Sequence, residues 1–482
     1  MLLKKWIEKF QEILFFAVLI TSCDFSKVDM SYSEAMPEKP DTLSQLQKIL
    51  NRDTLVACTD YNSTNYFIYR GTPMGYQYER ARELASHLGV ELQILPQNNI
   101  DTAVDFLNEG RCDLIAMDLT ITFKRRKQLD FVDPHHQTRQ MLIQRKPDGW
   151  RKMRTYDEVE KHLIRSPLQL IGKRVYVQKN SAYVQRLRNL MEEMGDTIYI
   201  NPVRQEAEQL IKRVAKGEIQ YTVADEHVAK VNRKYYPDLD TRTALSFPQN
   251  VAWAVKQGND SLKKTINQWQ ENFQGTFHAN VLHNKYFKNS QSKHLYHSEY
   301  HSLQGSRVSK YDDIIKQQAK ELGWDWRLLA SMIYQESHFS ENAQSWVGAY
   351  GIMQLMPQTM RRFGVDTSAS PKEQIKAGIR FIKWLDNQFR YSIKDPEERK
   401  KFVMAAYNVG IAHVKDAIRL TKKYGKDPTK WNGNVAYYLR KKSNPAFYRD
   451  SVVRYGYARG EEPYNYVNQI YERYQHYRNI LK

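Results

Sequence analysis

The strongest constraint on the fold is an alternation that begins at Thr54. Leu55, Val56, Ala57 and Cys58 make a short apolar run, residues 78–88 carry apolar side chains at helical spacing up to Gly89, and 90–95 is a second strand-like run. A further amphipathic segment at 101–108 stops before Gly110, ahead of a third apolar run at 113–117. Short strands alternating with helices of about ten residues imply a parallel sheet with helices on its faces. Beyond residue 309 the pattern is helical throughout. The 482 residues, 41% of them hydrophobic, suffice for two to four domains with real cores.

Within the helical half, the stretch 324–357 places a carboxylate on an apolar stripe. Asp325 can cap a helix in which Leu329, Met332 and Ile333 recur at core-facing spacing, and Glu336, seven residues after Leu329, continues the face. Lost hydration raises a carboxyl pKa toward the range useful to a general acid. The competing reading is a helix-end glutamate near solvent. A loop with Ser345, Gly348 and Gly351 follows, and then Gln354, which offers both a donor and an acceptor to a polar substrate.

Three separated motifs narrow the choice. Gln335-Glu336-Ser337, the run from Ser345 through Gly351-Ile352-Met353-Gln354-Leu355-Met356-Pro357, and Ala406-Tyr407-Asn408-Val409-Gly410 occur in the order of the soluble-lytic-transglycosylase domain, which this region closely resembles. The resemblance implies a lysozyme-like, mainly α fold. It also implies cleavage of the bond between N-acetylmuramic acid and N-acetylglucosamine in peptidoglycan, leaving a 1,6-anhydromuramoyl end. It assigns Glu336 as the catalytic acid and Ser345, Gln354, Met356, Tyr407 and Asn408 as substrate contacts. Glu462-Pro463-Tyr464-Asn465-Tyr466-Val467 resembles a last family motif whose Tyr466 faces the site.

The α/β region resembles the family-3 periplasmic solute-binding proteins. Gly75-Tyr76-Gln77-Tyr78-Glu79, Gly110-Arg111-Cys112-Asp113-Leu114-Ile115-Ala116, Leu119-Thr120-Ile121-Thr122-Phe123-Lys124-Arg125 and Phe131-Val132-Asp133-Pro134 follow that family's order. A second lobe is expected from about residue 150 to 243, with a return to the first through Ala252-Trp253-Ala254-Val255. By this resemblance Arg125 grips a ligand carboxylate, and Asp225, with Ser181 as a further candidate, meets its ammonium. A guanidinium can bind a carboxylate through two parallel hydrogen bonds. The alternative places Arg125 in a solvated basic cluster, 124–127.

At the start, Lys4 and Lys5, the apolar run 13–20 and Ile20-Thr21-Ser22-Cys23 resemble a lipoprotein signal, which implies lipidation of Cys23 and attachment to a membrane. Family resemblance points to the outer membrane, and Asp24 resembles an inner-membrane retention signal. Residues 24–50, polar and with two prolines, read as a tether. Cys58 and Cys112 are either small buried hydrophobes or one disulfide. Residues 289–308 read as a linker in which His294, His297 and His301 are solvated; no metal-ligating set and no cofactor are expected.

The expected order is therefore a signal peptide (1–23), a tether (24–50), a two-lobed α/β periplasmic-binding-protein-like regulatory domain (51–288), a linker (289–308) and a lysozyme-like catalytic domain (309–482). Lys and Arg exceed Asp and Glu by 73 to 54, which favours a polyanionic partner. With no zinc-finger, P-loop or RNP-like motif, glycan strands and a lipid surface fit better than nucleic acid. A cell-wall peptide or amino acid is the expected ligand of the first domain. Most glycosidases use two carboxylates. One is found here, as suits a reaction whose nucleophile is the substrate's own 6-hydroxyl. A goose-type lysozyme and a non-catalytic cell-wall receptor are the rivals.

Overall fold

A computed structural model describes residues 43–288, 298–303, 305 and 307–481. Cys23, Asp24, His294 and His297 lie outside these. Among the described residues no helix is long and apolar enough to cross a membrane.

The first described element is a helix, α1 (Gln45–Arg52), where a tether was expected to run to residue 50. Two apolar residues one turn apart decide this. Ile49 is fully buried and Leu46 packs beside it on the first-lobe core. Gln45 Nε2 also donates to Asp113 Oδ1 at 2.6 Å.

The first lobe then builds β1 (Thr54–Thr59), the hairpin β2 (Phe67–Tyr69) and β3 (Thr72–Met74), α2 (Tyr76–Leu88), β4 (Glu91–Pro96), α3 (Ile100–Asn108), β5 (Leu114–Thr120), β6 (Leu129–Phe131) and β7 (His136–Thr138). The second lobe holds β8 (Gln140–Arg145), β9 (Arg174–Gln178), α4 (Ala182–Met194), β10 (Tyr199–Val203), α5 (Ala207–Ala215), β11 (Tyr221–Asp225), α6 (Glu226–Tyr235) and β12 (Leu239–Ala244). The chain returns along β13 (Gln249–Lys256) and α7 (Asp260–Gln274).

The first sheet runs β4-β1-β5-β13-β6, with β7 also on β13, and the second runs β10-β9-β11-β8-β12. The nucleus of each is parallel, but β13 is antiparallel to β5, and β8 is antiparallel to both β11 and β12. Returning strands make the sheets mixed where a parallel one was expected. The second lobe also starts about ten residues before the position read from sequence, because β8 already belongs to its sheet. Cys58 and Cys112 are free and buried in the first-lobe core.

Residues 298–303 are not a solvated linker. Ser302 N donates to Ile68 O at 2.9 Å, and His301, buried, stacks on Phe67 with ring centroids 4.6 Å apart. Burial lowers the His301 pKa to about 3, so it is neutral.

The helical domain contains α8 (Asp312–Leu322), α9 (Trp326–Ser337), α10 (Pro371–Phe389), α11 (Pro396–Val409), α12 (Ile411–Lys423) and the last helix, α13 (Glu461–Ile480). Ser370 and Glu373 form a full capping box on α10. On α11 Asp395 caps alone, and Glu398 instead accepts from Trp431 N at 2.7 Å. The buried faces of α9, α10, α11 and α13 meet in one core that also takes in Ile68 from the first domain.

Replacing Ile49 by Ala removes a fully buried side chain from helix α1. Urea unfolding of the variant should show a loss of about 2–4 kcal/mol, where a tether residue would show none.

Candidate active site and ligand cleft

Helix α9 carries the acid. Gly323, in the left-handed region, ends α8, and Asp325 caps α9 by accepting from Arg327 N at 2.9 Å. Leu329, Met332 and Ile333 are fully buried as their spacing predicts, and Ser337 Oγ fixes the helix end by donating to Ile352 O at 2.8 Å. Glu336 occupies the last turn. Burial raises its pKa to about 8, against a smaller lowering by the hydroxyl of Tyr466, which donates to Glu336 Oε1 from α13. Desolvation wins, so the carboxyl is largely protonated at neutral pH.

An open cavity of about 750 Å³ lies in front of this pair, lined among others by Gln335, Asn408, Tyr457, Arg459 and Asn465. Of the acids near it, Glu461 is held by Arg440 at 2.8 Å. Glu341, the other carboxylate near the motif in sequence, is engaged by Lys310 and Tyr311.

The residues predicted from sequence divide into two groups. Glu336, Asn408 and Tyr466 share the cavity wall; Ser345, Gln354, Met356 and Tyr407 are not among its lining residues. Ser345 Oγ accepts from Ala349 N at 2.9 Å, inside its own loop. Gln354 Nε2 donates to Ala343 O at 2.8 Å and Gly351 O at 2.9 Å, with its backbone at φ 45°. That amide ties the loop together, and its donor is spent where the sequence had offered it to substrate. A Cβ on Gly351 would lie 1.9 Å from Gln374 Oε1, the atom that accepts from Ile352 N at 2.9 Å, so only glycine fits. Tyr407 donates to Met353 O at 2.7 Å and lies near enough to Glu336 for the ionised carboxylate to raise its pKa, bracing the floor behind the acid. Met356 is exposed beside this loop.

Tyr457 and Arg459 were not predicted. Their only sequence signal is the aromatic and glycine-rich run 455–460 between two helical patterns.

In the first domain's cleft, Arg125, in the short helix Phe123–Arg126 that follows β5, and Asp225, which precedes α6, act on one another electrostatically. Arg125 Nη1 donates to Thr120 O at 2.9 Å, and Tyr183 donates to Asp225 Oδ2 at 3.0 Å. Burial holds the Arg125 pKa below and the Asp225 pKa above their usual ranges. Ser181 Oγ donates to Gln178 O at 2.6 Å, within its own turn. The lobes are closed on each other: Ser63 Oγ donates to Glu208 Oε1 at 2.6 Å and Gln178 Nε2 to Asn98 O at 3.1 Å.

The remaining cleft is lined by Asp60, Asp118, Glu206, Glu208 and Asp225. Burial raises Asp60 to about 7 and lifts Glu206 and Glu208 above the usual carboxylate range. Contrary to the expectation of no metal-ligating set, Asp118, His136 and His227 come together here.

Residues 313–430 match the family described as Transglycosylase SLT domain, and 54–289 match the bacterial extracellular solute-binding proteins, family 3. A membrane-bound lytic murein transglycosylase F from Desulfosudis oleivorans is 34% identical over 92% of this chain and 92% of its own length. The same-named protein of Aeromonas hydrophila is 33% identical over 90% of this chain and 84% of its own. Among solved structures, the substrate binding protein of an amino acid ABC transporter is 20% identical, covering 49% of this chain and 100% of its own, at a TM-score of 0.42. With a solute-binding-like domain fused to a helical transglycosylase domain, the chain is an enzyme of the membrane-bound lytic murein transglycosylase F family.

Proposed function

We propose that this enzyme cleaves the β-1,4 bond between N-acetylmuramic acid and N-acetylglucosamine in peptidoglycan without water, with Glu336 as the single acid and base. The supporting observation is a carboxyl kept protonated by burial, pKa about 8, at the wall of an open cavity and bonded to one tyrosine hydroxyl. Glu336 donates its proton to the glycosidic oxygen as that bond breaks, and positive charge develops at the muramoyl anomeric centre. The carboxylate left behind accepts the proton of the muramoyl 6-hydroxyl, whose oxygen closes on that centre to give the 1,6-anhydro product. Proton and leaving group balance with one carboxyl. Asn408 and Asn465, which share the wall, are suited to the acetamido groups and hydroxyls of the glycan. Ser345, Gln354, Met356 and Tyr407 support the site through the loop and floor they build.

The first domain is proposed to bind a cell-wall peptide or amino acid through Arg125 and Asp225, with Ser181 holding the turn beside them, and to report it to the enzyme. Lipidation of Cys23 would hold the whole chain at a membrane facing the periplasm.

Purified sacculi digested by the native protein should yield anhydro-muropeptides by mass spectrometry, and Glu336→Gln should reduce release by about 10³-fold or more. Reducing ends would identify a lysozyme, and no release a receptor.

The acid must be protonated in the free enzyme, so kcat/KM should fall as pH rises through about 8. Tyr466→Phe removes a bond that favours the charged form, so the alkaline limb should move to higher pH. A limb that stays in place would separate Tyr466 from the acid's ionisation.

Calorimetric titration of the full chain with cell-wall peptides and free amino acids should give heat that Arg125→Ala abolishes. Absence of heat with every one would end the ligand reading.

A further inference from the structure

A cluster at the junction of the two lobes is used by neither the glycan chemistry nor the Arg125–Asp225 pair. Asp118 lies on β5 of the first lobe with its side chain only 4% exposed. Its Oδ1 accepts from Gln77 Nε2 at 2.8 Å and lies 2.8 Å from His135 Nε2. Its Oδ2 has no hydrogen-bond partner and lies 3.3 Å from His227 Nε2, on α6 of the second lobe. His136 opens β7 and brings Nδ1 to 3.8 Å from Asp118 Oδ1. One ligating atom each from Asp118, His136 and His227 lies within 4.8 Å of the others. Nε2 of His136 and Nδ1 of His227 and of His135 are also buried without partners.

We propose that Asp118, His136 and His227 form a site for a divalent transition-metal ion of the zinc type that bridges the two lobes. Two imidazoles and one carboxylate are a donor set suited to zinc, and three protein ligands leave a further position for water or a bound ligand. The unpartnered Asp118 Oδ2 supports this, because buried polar atoms are normally paired. The nitrogens nearest Asp118 are His227 Nε2 and His136 Nδ1, and the unpartnered His227 Nδ1 and His136 Nε2 are the opposite nitrogens of the same rings.

A simple ion pair between Asp118 and a protonated His227 accounts for one contact and leaves His136 without a role. The surroundings hold a buried cation, Arg80, which acts on Asp118, His135 and His136, against a larger number of carboxyl groups. Asp60, Glu206, Glu208 and Asp225 line the same cavity as Asp118 and His227, with Arg125 facing Asp225. His135, through its contact with Asp118 Oδ1, would orient the carboxylate from behind, as outer groups commonly do for metal ligands. Because two ligands come from the first lobe and one from the second, the ion would hold the cleft in the closed form that the Ser63–Glu208 bonds already describe.

The test uses the full-length protein stripped by a chelator. It is titrated with Zn²⁺ against a chromophoric competitor and with Co²⁺ while visible absorption is followed. We expect one ion per chain, ligand-field bands from Co²⁺ in a site of low coordination number, and a thermal midpoint raised by Zn²⁺. His136→Asn and His227→Gln, one in each lobe, should each weaken Zn²⁺ binding by about tenfold or more and remove the thermal shift. Both should keep the native far-ultraviolet spectrum without metal. No stoichiometric binding, or binding undiminished in either variant, overturns the proposal.

Discussion

The bond from the Tyr466 hydroxyl to the Glu336 carboxyl joins the acid to the last helix, and the last helix joins the acid to the first domain. On α13, Tyr466 reaches Glu336, while His476, Tyr477 and Asn479, nearer its end, bind backbone and side chains of the first lobe. Tyr66 Oη and His476 Nδ1 are 2.6 Å apart, Tyr477 donates to Gly71 O at 2.8 Å, and Asn479 Nδ2 donates to Ile94 O at 3.0 Å. At 1.5 Å per residue the two groups of contacts stand roughly 15 Å apart on one rigid rod. Helix α9 is tied in the same way: Tyr334, two residues before Glu336, shares a hydrogen bond of 2.7 Å with Thr72 Oγ1. Both helices that form the acid pair therefore touch the β2–β3 hairpin or its turn.

That contact has a packing condition. The turn of the hairpin presents Gly71 at φ 80°, and a Cβ there would stand 2.6 Å from the Tyr477 hydroxyl and 2.8 Å from the Tyr334 ring. The absence of a side chain lets the hairpin sit against both helices. Ile68 is buried in the core of the helical domain, so the interface is an extension of that core. Ser302 and His301 close it from the side of the connecting segment, through the Ile68 carbonyl and the Phe67 ring. Residues 298–303, read from sequence as part of a solvated linker, are held because one aromatic face and one backbone carbonyl were available to them.

Elements whose burial follows from their own periodicity were legible in the sequence: strands β1, β4 and β5, the helices between them, and α9 with its cap and buried carboxyl, but not the β2–β3 hairpin. Elements stabilised by partners far along the chain were not. Strand β8 reads as three apolar residues between glutamines, yet Gln140 and Gln144 are buried because Gln249 and the Ile164 carbonyl accept from their amides at 3.2 and 2.9 Å. Hydropathy assigns such glutamines to a surface. Gln354 shows the opposite case, since its amide nitrogen, read as a donor to substrate, donates to two carbonyls of its own loop. Asp118, His136 and His227 lie too far apart in sequence for any spacing rule to join them, and the lobe closure that brings them together is a tertiary fact.

The two sites resolve the same electrostatic difficulty in different ways. A buried carboxylate is costly unless it is protonated, hydrogen-bonded or paired with a cation. Glu336 has one hydroxyl and no cation among the causes acting on it, so the proton stays, and a proton held at neutral pH is what a glycosidic oxygen requires. In the lobe cleft five carboxylates share a small space, and keeping every one of them protonated would strip the cleft of charge. Hydrogen bonds satisfy part of the set: Glu208 accepts from Ser63 and Asn232, and Asp60 from Asn65. Asp225 accepts from Tyr183, and Asp118 from Gln77 with three imidazoles around it, where the proposed cation would enter. On the proposed readings, the cavity at Glu336 gives a positive charge away as a proton, and the cleft takes one in.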